Sequence, residues 1–480
     1  MSLGAKLRPL LQPARPAVVC RHLGQIALVL AILSSVPTLF AYGTGDWTLA
    51  HRLLLGALLP SLALGACALI PAPGRPVQAN EALVVSALAF ILAAALMTWP
   101  LAAAHMPLLD AWFEAMSGVT TTGLSMVPDP QSRSDAFLFT RAWMQWYGGL
   151  GMVVLSLSLA LASGRPADMR RLSDAASDED NLDQGVRRHA RRLLAVYGLI
   201  TLAGLALVMA AGVPGFQALI HTLAAISTGG FSGYADSLAR LDQGGQMTLG
   251  AVALAGALPL HLLYRTHARG LGQLWREPEL HALGTAVLLA TLLLWWLGRL
   301  TPTDALAQAV FAQTTTGYST LDLAGVDPTA KLVMILSMIT GGGVGSTAGG
   351  MKLLRVLILI RVLQLTILRV QIPRHGVIHP EVGGRALEPA QIEHALLLVL
   401  LYPLVVVASW LPFLAAGYAP LDALFEVVSA VGTVGLSVGI AGPGLETGLK
   451  LLLSLDMLLG RVEVLALLVL LYPLTWYKRP

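Results

Sequence analysis

One six-residue stretch recurs four times, and this limits the possible folds more than any other feature of the sequence. The copies are Thr120-Thr121-Thr122-Gly123-Leu124-Ser125, Ser227-Thr228-Gly229-Gly230-Phe231-Ser232, Thr314-Thr315-Thr316-Gly317-Tyr318-Ser319 and Gly432-Thr433-Val434-Gly435-Leu436-Ser437. Aligned without gaps, they share Thr in second place, Gly in fourth and Ser in sixth. Thirteen residues before each fourth-place Gly stand Asp110, Gln217, Asp304 and Asp422, each followed by Ala and then by a mostly apolar run of helical length. Polar turns between unrelated helices need not share such a spacing, so the pattern describes four equivalent units in one polypeptide.

The spacing predicts a helix of about ten residues, begun by the Asp or Gln as a cap and too short to cross a bilayer, which takes about 20. It stops in a Gly loop whose backbone can adopt conformations closed to other residues. Four such loops around one axis would aim rings of carbonyl oxygens into a narrow passage, which is how the hydration shell of a cation is replaced.

The rest of the chain supplies a membrane setting. Of its 480 residues 56% are hydrophobic and 12% charged, and the mean hydropathy is +0.71, so the expected class is an all-α polytopic membrane protein. Apolar runs fall at roughly 23–42, 53–71, 82–104, 137–162, 190–212, 247–264, 280–298, 331–362, 392–416 and 447–472, about ten spans. Two spans (1–75) precede the repeats, which divide as 76–165, 166–270, 271–375 and 376–480, each reading as span, short re-entrant helix with loop, span. The first apolar run, behind Lys6, Arg8, Arg15 and Arg21, reads as an anchor rather than a cleaved signal peptide. Cys20 and Cys67 read as small buried apolar residues, with no disulfide framework. No nucleic-acid motif is present.

Basic residues set the orientation. Arg165, Arg170, Arg171, Arg187, Arg188, Arg191 and Arg192 crowd one segment; Arg265, Arg269 and Arg276, then Arg369, Arg374 and Arg385, follow later spans, and Lys478 and Arg479 end the chain. Even numbers of spans separate them, so the positive-inside rule assigns all of them, with both termini, to the cytoplasm. The Asp174–Asp183 acidic block falls in the first of these inner loops. The Thr/Gly loops then dip in from outside, near connections carrying Asp46, Asp129, Asp135, Asp236, Asp242, Asp322, Asp327 and Glu446, which read either as a mildly acidic mouth or as solvated loop charges.

Three further features stand out. Gly341, Gly342, Gly343, Gly345, Gly349 and Gly350, with Ser346 and Thr347, interrupt the eighth span. Each Gly in a helix interior costs roughly 1 kcal/mol, so the helix is expected to break there, facing a pore or packed protein. The stretch also fits a loose dinucleotide-binding pattern, but no βαβ unit surrounds it. Arg461 lies inside the last span, where it must be paired or hydrated. Asp456 and Glu463 are candidate partners for a packing salt bridge, and Lys352 and Arg355 follow the Gly stretch as anchors or snorkelling side chains. Glu114, His221, Gln308 and Glu426 hold matching places on the four short helices and read as braces behind the loops rather than a proton relay. The Trp143/Trp146 and Trp295/Trp296 pairs suit membrane-interface belts or packing. No metal-ligand or nucleophile–base cluster stands out, so an enzyme is not expected and no cofactor is called for.

These loops, together with GGGVGSTAGGMK at 341–352 and MLLGRVE at 457–463, resemble the superfamily of Trk, Ktr and HKT potassium transporters, and most of all the Trk potassium-uptake membrane subunits. The likeness runs over nearly the whole chain. It implies a potassium-uptake protein of the bacterial inner membrane, in which each repeat is like one subunit of a tetrameric potassium channel. The filter would comprise Thr121, Thr122, Gly123, Thr228, Gly229, Gly230, Thr315, Thr316, Gly317, Thr433, Val434 and Gly435, with K+ held at the second and third places of each loop. Some relatives that favour sodium carry Ser at the first filter Gly, where this chain has Gly123. Since the four loops differ in sequence, one firm site near the glycines and less strict discrimination than in a symmetric tetramer are expected. The resemblance makes 341–350 an intramembrane gate lying beneath the filter, with Arg461 in the cavity close to it. It also implies a homodimer and a cytoplasmic nucleotide-binding regulatory subunit of the TrkA type. An ion-coupled potassium symporter, or a less selective potassium/sodium transporter of the same architecture, is the alternative.

Overall fold

A computed structural model of the chain describes residues 12–71, 77–104, 106–162, 182–260, 262–264, 272, 277–371 and 380–477. Lys6, Arg8, Arg165, Arg170, Arg171, Asp174, Asp178, Glu179, Asp180, Arg265, Arg269, Arg276, Arg374, Lys478 and Arg479 lie outside the described residues. Arg191 and Arg192, expected in an inner loop, stand in the helix Leu182–Ala210, which starts earlier than the hydropathy suggests.

Two helices, Pro16–Thr44 and Trp47–Leu69, come first and turn at Gly45, whose φ of +80° suits the reversal. Cys20 is exposed and Cys67 half-buried, so neither is the buried residue expected. Four units follow. Each consists of a long helix (Ala79–Leu101, Leu182–Ala210, Pro278–Trp296, Pro389–Ala415), a short one (Leu108–Val119, Gly215–Ile226, Pro302–Gln313, Pro420–Val431) and a loop leading into a second long segment. Among the described residues six helices are long and apolar enough to cross a membrane. Among the described residues the strands are a two-residue pair, Glu381–Val382 and Arg385–Ala386, turned by Gly383 and Gly384 at positive φ.

Each short helix has 12 residues, about 18 Å at 1.5 Å per residue, little more than half of a hydrocarbon core. In all four, the fourth residue and the sixth to twelfth are buried, so these helices are enclosed by the spans. Asp110, Gln217, Asp304 and Asp422 are not the caps; they occupy the third helical position. Pro107, Pro214, Thr301 and Ala419 precede the helices, and of these Thr301 caps with its side chain, accepting from the Asp304 N–H at 3.2 Å. A carboxylate in the first turn still favours the positive end of the helix.

Two of those carboxylates do more. Lys331 Nζ donates to Asp422 Oδ1 (2.8 Å) and Lys450 Nζ to Asp110 Oδ1 (2.5 Å). Each lysine also donates to a carbonyl seven residues back, Ala324 at 3.0 Å and Pro443 at 2.8 Å. The first pair joins the third unit to the fourth, and the second joins the fourth to the first. Lys450→Met alone strands a buried carboxylate and is expected to destabilise the protein by about 3–5 kcal/mol, whereas pairing it with Asp110→Leu recovers most of that. Thermal unfolding in detergent micelles reads both variants.

The eighth span breaks as expected, its helix ending at Thr340 with Gly341 at φ +65° and resuming at Leu353. The last span also breaks, between Thr447–Arg461 and Glu463–Leu471, with Glu463 at φ +55°. Hydropathy gives no sign of this second break, because both halves are apolar.

Candidate functional site

The four loops meet. A Cβ on Gly123 would strike the Gly229 carbonyl oxygen; one on Gly230, that of Thr316; one on Gly317, that of Val434; one on Gly435, that of Thr122. Each fourth-place Gly therefore abuts the third-place carbonyl of the next loop, and the last abuts the first. This is a closed ring in sequence order. All four glycines have positive φ, +96°, +74°, +72° and +94°. So do the second-place residues Thr121, Thr228, Thr315 and Thr433, at +55°, +53°, +56° and +48°. A β-branched residue in the left-handed region is strained, by roughly 1–3 kcal/mol, and persists only where its surroundings impose it. Second and fourth places are thus left-handed in all four loops, with the third place between them at negative φ.

On one side of the ring all four glycines line a single cavity of about 580 Å³. Asp236, Asp322 and Arg141 share its wall. Other acids expected at a mouth have local duties: Asp46, Asp242 and Asp327 cap helices, accepting from the N–H groups of Leu49, Gly245 and Thr329. Asp322 itself accepts from the Ala324 N–H at 3.0 Å, and Asp236 pairs with Arg240 at 3.1 Å. Asp236 is thus paired with a cation, while the capping carboxylates keep their charge.

The sixth-place serines explain the matching residues on the short helices. Ser125 Oγ donates to Glu114 (3.0 Å) and Ser437 Oγ to Glu426 (2.7 Å), His221 Nε2 lies 3.0 Å from Ser232 Oγ, and Gln308 Nε2 donates to Ser319 Oγ at 3.2 Å. Each bond spans eleven residues, from a helix to its own loop. Glu114 also takes the Arg141 Nε–H at 2.6 Å, and the Arg141 guanidinium stacks 4.1 Å from the Phe231 ring centre, tying the first loop to the second. Arg141 and Gln145, which bonds the second loop, escape sequence reading because their contacts with that loop join residues remote in the chain. Trp143 and Trp146 are packing residues, stacked at 4.8 Å, with indole N–H groups on the Leu33 carbonyl and Thr201. Trp295 and Trp296 are exposed.

The side of the ring away from the cavity is occupied by the Gly-rich segment. The Gly349 N–H donates to Thr315 Oγ1 at 2.7 Å, the Gly350 N–H to the Gly432 carbonyl at 3.0 Å, and Thr347 Oγ1 lies 3.4 Å from Thr228 Oγ1. A Cβ on Gly349 would meet both the Gly432 carbonyl and Thr433 Oγ1, so only Gly permits this approach. Further bonds fasten the segment: Gln313 Nε2 to the Gly341 carbonyl (2.6 Å), the Gly343 N–H to the Ala257 carbonyl (3.1 Å), the Val344 N–H to Glu279 Oε2 (2.7 Å) and Ser346 Oγ to the Gly343 carbonyl (2.6 Å). Gly342 and Gly345 take part through their carbonyls, which accept from the N–H groups of Leu353 and Leu260. Lys352 Nζ reaches the Ala348 carbonyl, and Arg355 donates to Glu463 at 2.5 Å.

Arg461 forms no salt bridge with Asp456 or Glu463. Fully buried, it donates from Nη1 to the Thr347 carbonyl (2.8 Å) and from Nη2 to that of Gly148 (3.1 Å). Asp456 instead accepts from Ser409 Oγ at 2.6 Å.

Comparisons with known proteins give the chain a family and a shared fold. The sequence profile of the TrkH family, described as cation transport proteins, matches residues 59–295 and 301–474. The chain is 30% identical over 389 residues to the Trk system potassium uptake protein TrkH of Salmonella typhimurium, covering 78% of this chain and 80% of that one. It is 29% identical over 484 residues to TrkI of Halomonas elongata (96% and 97%), and 26% identical over 452 residues to an uncharacterized cation transporter of Methanocaldococcus jannaschii (93% and 94%). The crystal structure of the potassium transporter TrkH from Vibrio parahaemolyticus superposes with a TM-score of 0.85 at 24% identity, over 96% of this chain and all of that one, so the fold is shared. With a profile matched across most of its length and the same fold, the chain belongs to the TrkH family of cation transport proteins.

Proposed function

We propose that this protein takes up potassium through a channel-like pore whose selectivity filter is the ring of four loops. The observation that carries the reading is the closed cycle of glycines against neighbouring carbonyls, since a ring of backbone oxygens can replace water around a monovalent cation. Two buried hydroxyls, Thr121 Oγ1 and Thr433 Oγ1, have no hydrogen-bond partner among the described residues, a deficit that a bound cation would relieve. K+ is the transported ion, held by Thr121, Thr122, Thr228, Gly229, Thr315, Thr316, Thr433 and Val434. The repeats are bounded at 76–165, 166–270, 271–375 and 376–480. Segment 341–350 is the gate, and Arg461 its lock. The chain works as a homodimer in the bacterial inner membrane with both termini in the cytoplasm, under a TrkA-type nucleotide-binding regulator.

A coupled symporter would place charged side chains in the ion path, and the four loops contain no Asp, Glu, His, Lys or Arg. Purified protein in vesicles is expected to take up rubidium tracer along an imposed membrane potential, with potassium competing better than sodium, after proton and sodium gradients are collapsed. Uptake that stops with either gradient, at fixed voltage, would replace this reading with the coupled one.

A further inference from the structure

The second loop is the one that departs most from the pattern, carrying Gly229 where the others have Thr122, Thr316 and Val434. The reason is on the neighbouring span. Gln145, fully buried, donates from Nε2 to the Gly229 carbonyl (2.5 Å) and accepts at Oε1 from the Phe231 N–H (3.0 Å), so it grips the loop on both sides of Gly230. Its amide lies 2.5–2.8 Å from where a Cβ on Gly229 would be, and therefore stands in the place where the other loops begin a third-place side chain. In two of those loops that side chain is tied locally, Thr122 and Thr316 sharing hydrogen bonds of 2.8 Å with Thr120 and Thr314.

The second and fourth units have no such residue. Gly148, Gly256 and Gly460 each pack against the last carbonyl of their unit's short helix (Val119, Ile226, Val431), which fixes a common register. Three residues before them stand Gln145, Ala253 and Met457. A side-chain amide directed at the ring thus occurs in the first unit and has no equivalent in the second or fourth. It also acts on the carbonyl that abuts Gly123, at the junction of the first and second loops.

We infer that Gln145 is a specificity-determining positioning residue: by holding the Gly229 carbonyl and the Phe231 N–H it sets the geometry of the second loop, and with it the discrimination between potassium and sodium. The inference rests on the reading of the ring as a selectivity filter. Gln145 does not touch the ion; it acts through the backbone it grips.

The test uses the full chain in vesicles and reads the ratio of potassium to sodium uptake for Gln145→Met, the side chain of the matching place in the fourth unit, and for Gly230→Ser. The first is expected to lower the ratio about tenfold, the effect of losing one buried hydrogen bond at an ion ligand. A packing role is separated by Gln145→Ala with Gly229→Ala, in which a new Cβ refills the vacated space without restoring either bond; the ratio should stay low while thermal stability recovers. If Gly230→Ser loses discrimination but Gln145→Met and the double variant keep the wild-type ratio, the inference is overturned and the filter stands. If Gly230→Ser also keeps it, both fall.

Discussion

Gly230→Ser is expected to lower the potassium-to-sodium uptake ratio about a hundredfold while the protein still inserts and folds. Two costs combine. An L-residue forced to the φ of +74° seen at Gly230 is strained by roughly 1–2 kcal/mol. Its Cβ would also run into the Thr316 carbonyl, and that oxygen belongs to the backbone of the third loop, with no flexible end to swing aside. Relief must come from moving a carbonyl of the ring, and about 2.7 kcal/mol of lost preference for the correct ion is a factor of one hundred. Because the Gly–carbonyl contacts run in a cycle, Ser at Gly123, Gly317 or Gly435 should act in the same direction. A Gly230→Ser ratio equal to wild type, with equal amounts of folded protein, would remove Gly230 from the selective path.

The second large effect is expected at the Gly-rich segment. Arg461→Gln removes charge-assisted bonds to the Thr347 and Gly148 carbonyls, each worth about 1.5–3 kcal/mol in the closed arrangement. If that arrangement obstructs the pore, losing the Thr347 bond, the one of the two that fastens the segment itself, destabilises the closed state relative to any open one, and potassium uptake should rise roughly ten- to a hundredfold. Deleting 343–348 should raise uptake as well. In both variants the preference among potassium, rubidium and sodium should stay as in wild type, since the ring glycines are untouched. Flat uptake in both would put the main barrier elsewhere. An altered ion preference would mean that the segment takes part in selection, for which the Gly349 N–H bond to Thr315 offers a physical route.

How much of this was legible in the sequence depended on how local each constraint is. The four loops could be read because Gly is the residue that tolerates a neighbour's carbonyl at such distance, so the requirement shows as an identity at a fixed place. The braces were equally visible in Glu114, His221, Gln308 and Glu426, since each bond to a sixth-place Ser lies within one repeat. The break at 341–352 was written in its glycines. The helix starts were misplaced by a few residues because a third-position Asp and a capping Asp look alike when nothing fixes the first turn.

Other features left no local trace. The second-place threonines sit at positive φ although β-branched residues disfavour it, a conformation imposed by the surrounding units rather than encoded in the loop. Arg141 and Gln145 act across the boundary between the first and second units, and nothing near them in the chain signals it. Lys331 and Lys450 could have been found, as both stand fourth in their helices, but only a ring closing the fourth unit on the first gives that coincidence a meaning. For Arg461 the sequence left a salt bridge and a carbonyl partner equally open. The structure gives it the carbonyls of Thr347 and Gly148.

The most direct measurement is the position of the ion itself. Crystals of the protein grown or soaked with thallium or rubidium should show an anomalous peak on the axis of the four loops, surrounded by the carbonyl oxygens of Thr122, Gly229, Thr316 and Val434. A map with Gly123, Gly230, Gly317 and Gly435 arranged as described and no peak among those oxygens, or with the heavy cation bound away from that axis, would contradict a filter built from the four repeats.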